Sequence, residues 1–236
     1  MAAVFLTAEW RHLLLFNFAV EPALLAPLVP RGTELDLAGG APHVSLVAFR
    51  FVRTRVLGLP IPFHRDFDEI NLRFYVRSRG PEGWRRGVVF IREVVAKPAI
   101  ALAARAIYNE PYVTRRTRSH VDRDGAAYEL RNEGAWLTLR AHHDGPPVWD
   151  DHVEGMTENH WGYTRQSDGG TIEYEVEHPR WTVWRAARFE LAGDFAPLYG
   201  PAFGAVVASP PRSVLVADGS AVVVRRGEPI VPPAEV

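Results

Sequence analysis

The sequence predicts a mainly β (β-rich α+β) fold, a closed or strongly curved antiparallel sheet with a few short helices. Two observations carry this. Residues 69–77 alternate strictly between polar and apolar side chains, the period of a strand with two unlike faces. Downstream, turn clusters at Asp122-Arg123-Asp124-Gly125, Asn132-Glu133-Gly134 and Asp144-Gly145-Pro146-Pro147 separate short apolar runs, the spacing of an all-antiparallel architecture with few helices. A chain of 236 residues with 47% hydrophobic and 23% charged residues suits one domain, residues 1–236, with a sizeable core. No internal repeat or low-complexity tract divides it.

Along the chain, the run 12–20 reads as a strand. Glu21-Pro22 opens a short helix, because proline fits the first helical turn where its missing N–H is no loss; Pro30-Arg31-Gly32 closes it. Residues 33–38, the Gly39-Gly40 turn and residues 42–53 suggest a hairpin. Residues 57–67 carry two close prolines and read as an exposed irregular loop. In 69–77, Glu69, Asn71, Arg73, Tyr75 and Arg77 share one face while Ile70, Leu72, Phe74 and Val76 share the other. A turn at Gly80-Pro81-Glu82-Gly83 leads to the apolar run 87–95, and 98–109, rich in alanine, is the most helical segment. A further helix is expected over 149–159, with strands at 161–164, 171–176, 181–189, 212–216 and 221–224.

Charge and composition exclude several function classes. A formal net charge of -1 provides no basic face for nucleic acid or an anionic membrane. There is no cysteine, so disulfide and thiolate chemistry are absent. The N-terminus lacks a basic region before its short apolar run and does not read as a signal peptide. No apolar run approaches the ~18 residues of a membrane span. The expectation is a cytoplasmic protein with no nucleic-acid or membrane partner, compatible with a homo-oligomer. Lys97 is the only lysine among 27 basic residues, a bias whose simplest cause is codon usage.

No strong catalytic signature appears: the chain has no HExxH, no phosphate-cradling glycine loop and no GxSxG. His142 and His143 are adjacent and face opposite ways on a strand, so no metal site is expected, and no cofactor. The polar row from Glu69 to Arg77 has two readings. Periodicity alone favours a solvated outer face with cross-strand ion pairs; the other reading is a wall lining a barrel cavity. Arg105 is similarly open between a last-turn cation, worth ~0.3–1 kcal/mol, and a guanidinium holding a substrate carboxylate.

The ordered set DFDEINLRFYV, GVVFIREVV, AARAIYNEPYVTRRTR, MTENHWGYT and EVEHPRW resembles the DUF2071 (YqjF-like) family over nearly the whole chain. That family is in turn similar to acetoacetate decarboxylase, which implies a cone-shaped antiparallel β-barrel around a small pocket. In those enzymes a Gly-Arg-Glu and a proline precede the lysine that forms an imine with substrate. On that pattern Arg105 matches the arginine, Ala106 replaces the glutamate, Pro111 matches the proline and Tyr112 takes the place of the lysine. Glu69 falls where the family of decarboxylases has an active-site glutamate, and Arg11 lies near the position of a substrate-binding arginine.

The resemblance therefore implies a pocket with a lost nucleophile. A phenol with a pKa near ~10 cannot form an imine, though it can donate a hydrogen bond or relay a proton. Lys97 stands at the other end of the 98–109 helix, ~15 Å or more away at 1.5 Å per residue. The reading that follows is a barrel binding a small, carboxylate-bearing metabolite. Arg105, Asn71, Arg73, His160 and Glu158 are its binding candidates, and Glu69 and Tyr112 the candidates for chemistry. Two alternatives stand beside it: a lyase or hydrolase using Tyr112, Glu69 or His160 for proton transfer, and a structural or protein-binding module whose barrel is filled. His178 and Trp181 are family-like positions without roles; His178-Pro179 reads most simply as the end of a strand.

Overall fold

The computed structural model describes residues 2–37 and 40–230, with backbone only at Ile107 and Tyr108. The chain opens with β1 (Val4–Ala19), passes through α1 (Pro22–Leu25) and β2 (Glu34–Leu35), and continues as β3 (His43–Val56), β4 (Leu59–Pro60), β5 (Phe67–Gly80) and β6 (Gly83–Val95). Then come α2 (Pro98–Tyr108), β7 (Tyr112–Thr114), β8 (Thr117–Val121), β9 (Gly125–Asn132) and β10 (Ala135–His142). The remainder is α3 (Asp151–Thr157), β11 (Trp161–Arg165), β12 (Thr171–Glu177), β13 (Val183–Arg185), β14 (Arg188–Ala192), α4 (Ala196–Tyr199), α5 (Pro201–Ala208), β15 (Ser213–Arg225) and β16 (Glu228–Pro229).

Strands pair in the order β15-β1-β3-β5-β6-β11-β12, and β12 pairs back to β15 through Val176↔Val224 and Glu177↔Val223, so the path returns to its start. A second sheet, β14-β10-β9-β8, stands apart. The β-rich class is as expected, but the barrel is not wholly antiparallel: β6 pairs in parallel with both β7 and β11. The β7 pairing follows from α2, which supplies the crossover that joins parallel neighbours.

The second sheet decides which face of each barrel strand looks inward. Ile70, Leu72, Phe74 and Val76 of β5 join Phe16, Leu46, Tyr128, Leu130, Leu137 and Leu139 in one core between barrel and second sheet. Leu15, Val47, Phe49, Phe51, Val95 and Leu215 form a separate core inside the barrel, with Val153 and Met156 of α3. Each such side chain stabilises by roughly 1.5–3 kcal/mol. The solvated outer face favoured by periodicity is therefore overturned. β5 is buried on both faces over most of its length, and Glu69, Asn71 and Arg73 point into the barrel, while Arg77 near its end stays half-exposed in a cross-strand ion pair with Glu34.

Other expectations change for local reasons. The 33–53 hairpin does not form, because β2 pairs with β5 (Glu34↔Arg77, Leu35↔Val76) while β3 pairs with β1; Ala38 and Gly39 of its turn lie outside the described residues. The run 181–189 is two strands in different sheets, β13 on β15 and β14 on β10. Conversely, 212–216 and 221–224 belong to one strand, β15, carried through by Gly219 at φ 77° opposite Arg11. A Cβ there would sit 2.0 Å from the Trp10 carbonyl oxygen. Two short helices that the sequence reading did not include, α4 and α5, lie between β14 and β15, and proline opens both. Residues 57–66 are largely exposed as expected, with a two-residue β4 among them, but Phe67 is buried as the first residue of β5.

Candidate functional site

The barrel interior is not filled. A cavity of about 360 Å³ remains, walled by Trp10, Phe49, Phe51, Phe67, Phe90, Trp161 and Trp181 and floored by Glu69, Asn71, Arg73, Glu93, Glu110, Tyr112 and Tyr174. The wall rings pack on one another: Trp10 lies 5.3 Å from Phe49 and 6.4 Å from Trp181, and Phe51 stacks on Phe67 at 4.6 Å. Ala99, Ala103 and Ala104 of α2 also face the cavity.

Strand register assembles the floor. Asn71 pairs with Glu93, and Glu93 with Tyr112, placing three strands' side chains in one row. The ladder shifts between Leu72↔Arg92 and Arg73↔Phe90, so Ile91 is an extra residue, a β-bulge. It lets Phe90 and Glu93 both face the cavity while Arg92 turns outward to the Leu198 carbonyl. Tyr112 is fixed by the end of α2, where Asn109 adopts the left-handed conformation and Pro111 holds Glu110 extended. Gly162 makes room for Tyr174, since a Cβ there would sit 2.1 Å from that ring's Cζ.

The Tyr112 hydroxyl donates to Glu69 Oε2 at 2.8 Å, and Asn71 Nδ2 donates to Glu69 Oε1 at 3.0 Å. Glu110 accepts from Tyr174 at 2.9 Å and from the Thr164 hydroxyl. Burial, the largest cause, pushes Glu69 and Glu110 each up to about 7. Burial, then the neighbouring carboxyls of Glu110 and Glu69, holds Glu93 well above the usual carboxylate range. The Tyr112 hydroxyl is likewise pushed upward and stays a neutral phenol. His178 stacks at 4.5 Å on both His160 and Trp181, and burial lowers it to about 4, leaving a neutral imidazole. Five buried polar atoms of lining residues lack a hydrogen-bond partner: Trp10 Nε1, Thr54 Oγ1, Asn71 Oδ1, Arg73 Nε and Glu93 Oε2; Asn159 Oδ1 is a sixth.

Of the residues singled out from sequence, Glu69, Asn71, Arg73 and Tyr112 meet in this cavity. Arg105 does not. It is exposed on the last turn of α2 and absent from the cavity lining, so the pocket guanidinium is Arg73 and the last-turn position leaves Arg105 the cation of a helix end. Glu158 and His160 stand behind the wall, 3.6 Å from each other, with His160 reaching the cavity only through the stacked His178. Arg11 pairs with Glu9 outside the cavity. Lys97 caps α2 and is not in the lining either.

Sequence reasoning missed Glu93, Glu110 and Tyr174. Uninterrupted alternation through 87–95 would set Arg92, not Glu93, beside Phe90, and no local signal marks the bulge. Glu110 preceded a proline already matched to a motif, which was the one signal available for it.

The sequence matches the DUF2071 family, described as an uncharacterised conserved protein, over residues 7–221. It is 31% identical over 120 residues to the uncharacterised protein YqjF of Bacillus subtilis (strain 168), covering 50% of this chain and 48% of that protein. The match thus spans about half the length of that curated relative. The fold is similar to acetoacetate decarboxylase from Legionella pneumophila, with TM-score 0.71 and 15% identity over 97% of this chain and 88% of that one. It is also similar to the enduracididine biosynthesis enzyme MppR complexed with the condensation product of pyruvate and imidazole 4-carboxaldehyde (TM-score 0.68, 11% identity, 97% and 90% covered). A third is an acetoacetate decarboxylase-like enzyme from Sphingomonas wittichii RW1 (TM-score 0.68, 14% identity, 97% and 94% covered). At these identities the likeness is one of fold.

Proposed function

The chain belongs to the DUF2071 family and has an acetoacetate decarboxylase-like fold, and from that premise we propose that its barrel binds a small organic molecule without imine chemistry. One observation carries the reading: a ring-walled cavity of about 360 Å³ ends on buried polar atoms that have no partner. Leaving such atoms unpaired costs about 1–3 kcal/mol each, and a ligand's polar end would recover that. The volume falls within the range of small-molecule pockets. A carboxylate on the ligand would have Arg73 as its cationic partner, in the role expected of Arg105.

Two features of the cavity support the absence of imine chemistry. The lining contains no lysine, and Tyr112 is bound to Glu69 where the amine would stand. Organic extraction of the purified protein, analysed by mass spectrometry, tests the binding. The expected result is a retained small molecule that is absent from Ala103→Trp, a change that fills the cavity from α2. No retained molecule, together with no thermal shift from a metabolite panel, overturns the reading. Borohydride trapping with acetoacetate tests the chemistry: no mass increase is expected, and a stoichiometric adduct on Lys97 overturns it.

A second reading, proton transfer, is favoured by Glu69 standing near pKa 7 beside the Tyr112 hydroxyl, since a group titrating near neutrality serves as acid and base. Solvent deuterium entering a bound keto acid at its α-carbon, and lost in Glu69→Gln, would distinguish it from binding alone. No exchange above background would remove it.

A further inference from the structure

The unpartnered atoms of the cavity lining include three acceptors, beside the donors Arg73 Nε and Trp10 Nε1 and the Thr54 hydroxyl. Asn71 Oδ1 and Glu93 Oε2 belong to paired residues on β5 and β6, are 1% and 2% exposed as residues, and have no donor. Asn159 Oδ1 adds a third acceptor to the same lining. The donor of Asn71 is already spent on Glu69, and that of Tyr112 on Glu69 as well. The charges lean the same way. Three carboxyl groups, Glu69, Glu93 and Glu110, face the cavity, against which the lining holds one lysine or arginine, Arg73.

A ligand carboxylate would find the Nε of Arg73, but it would bring a fourth carboxyl group and leave the Asn71, Glu93 and Asn159 acceptors without a donor. An alcohol would bring one donor and no charge. An ammonium group brings three N–H donors and a positive charge, which meets the Asn71 and Glu93 acceptors together. These atoms are not placed to hold a metal ion: no group of three or more acidic, histidine or cysteine side chains among the described residues has that arrangement. The ring wall adds faces that attract an organic cation while burying its apolar part.

We propose that the cavity selects a ligand carrying a protonated amine, seated on Glu93 and Asn71 with its apolar body against Trp10, Phe90, Trp161 and Trp181. This rests on the reading of the cavity as a ligand site and names the class of ligand. It replaces the carboxylate-bearing ligand expected from sequence, whose basis was an arginine that proves to lie outside the cavity. The raised Glu93 carboxyl fits the assignment: burial, then the carboxyls of Glu110 and Glu69, disfavour its ionised form, and a cation seated beside it would favour that form.

Three probes sharing one phenyl ring separate the possibilities by titration calorimetry: phenethylammonium, 3-phenylpropanoate and 2-phenylethanol. Wild-type protein is expected to bind the ammonium about tenfold or more tighter than the alcohol, the scale of a charge-assisted hydrogen bond, and tighter again than the carboxylate. In Glu93→Gln the ammonium should fall to within about threefold of the alcohol, while the melting temperature of the free protein does not drop. The alcohol or carboxylate binding wild type as tightly as the ammonium, or Glu93→Gln keeping the preference, overturns the assignment and leaves small-molecule binding standing. Binding of none of the three also overturns it, and binding in general is then judged by the extraction experiment. The wild-type ranking decides the matter even if the variant fails to fold.

Discussion

Two buried polar groups of side chains lie inside the same barrel and are finished to different degrees. In one, Asn17 Nδ2 donates to Ser213 Oγ at 2.9 Å and Asn17 Oδ1 accepts from Ser45 at 2.6 Å. Ser45 meets the Tyr75 hydroxyl at 2.7 Å, and Ser213 meets His152 Nε2 at 2.7 Å. None of these five side chains has a buried polar atom without a partner. In the other, Glu69 is paired while Asn71 and Glu93 keep bare acceptors. Both are buried in the same few strands. A completed network of this kind rigidifies and specifies a core. An incomplete one costs stability, so the difference separates a finished end of the barrel from the end where a ligand is proposed to bind.

The contrast is most easily broken at Asn17. Asn17→Ala removes a donor and an acceptor at once and strands Ser45 and Ser213, so a loss of about 2–4 kcal/mol is expected in urea unfolding. A loss below about 0.5 kcal/mol would mean that this network is no more finished than the other.

Glu110→Gln should behave in the opposite sense, and pH reveals it. Glu110 has a folded pKa of about 7 against 4.5 for the unfolded chain. Between those values the folded state keeps a proton that the unfolded state has released, so wild-type stability falls as pH rises through the window. The variant lacks this term. It should match wild type below about pH 4.5 and exceed it by about 1–2 kcal/mol at pH 7.5; a gap that is constant with pH would show Glu110 to be ionised throughout.

His178 sharpens the comparison from the wall side. Its lowered pKa of about 4, against 6.5 when unfolded, means that its contribution is fully present above pH 6.5 and is lost as pH falls toward 4. Loss of its two stacking contacts in His178→Ala should cost about 0.5–1.5 kcal/mol at pH 7. An NMR titration of the imidazole centred near 6.5 would instead place the ring in water. The smallest effect belongs to Arg105→Ala, expected within about 0.5 kcal/mol of wild type and without influence on any ligand that Glu93→Gln affects. A larger change would return Arg105 to the site.

Much of this was legible in sequence, and the remainder was hidden for identifiable reasons. The alternation at β5 sorted Glu69, Asn71 and Arg73 onto one face correctly. Which face looked inward depended on the sheet of β8, β9, β10 and β14 covering Ile70, Leu72 and Phe74, a contact between segments far apart in sequence. The motif around Pro111 located Tyr112, because local backbone and spacing suffice there. It misplaced Arg105, because a helix turns each residue by about 100° and the pattern aligned letters, not directions.

The extra residue at Ile91 has a consequence for how this barrel can vary. It breaks β6 into two halves whose inward and outward assignments are set independently. Val88 and Phe90 contribute to the ring-lined wall and Glu93 to the acidic floor. Deleting Ile91 would leave Phe90 and Glu93 facing inward on a regular ladder. A slip that kept Ile91 and smoothed the pairing would instead present Arg92 beside Phe90. One residue of phase thus separates an interior of three carboxyl groups and one guanidinium from one with two of each, with the rest of the sequence held constant.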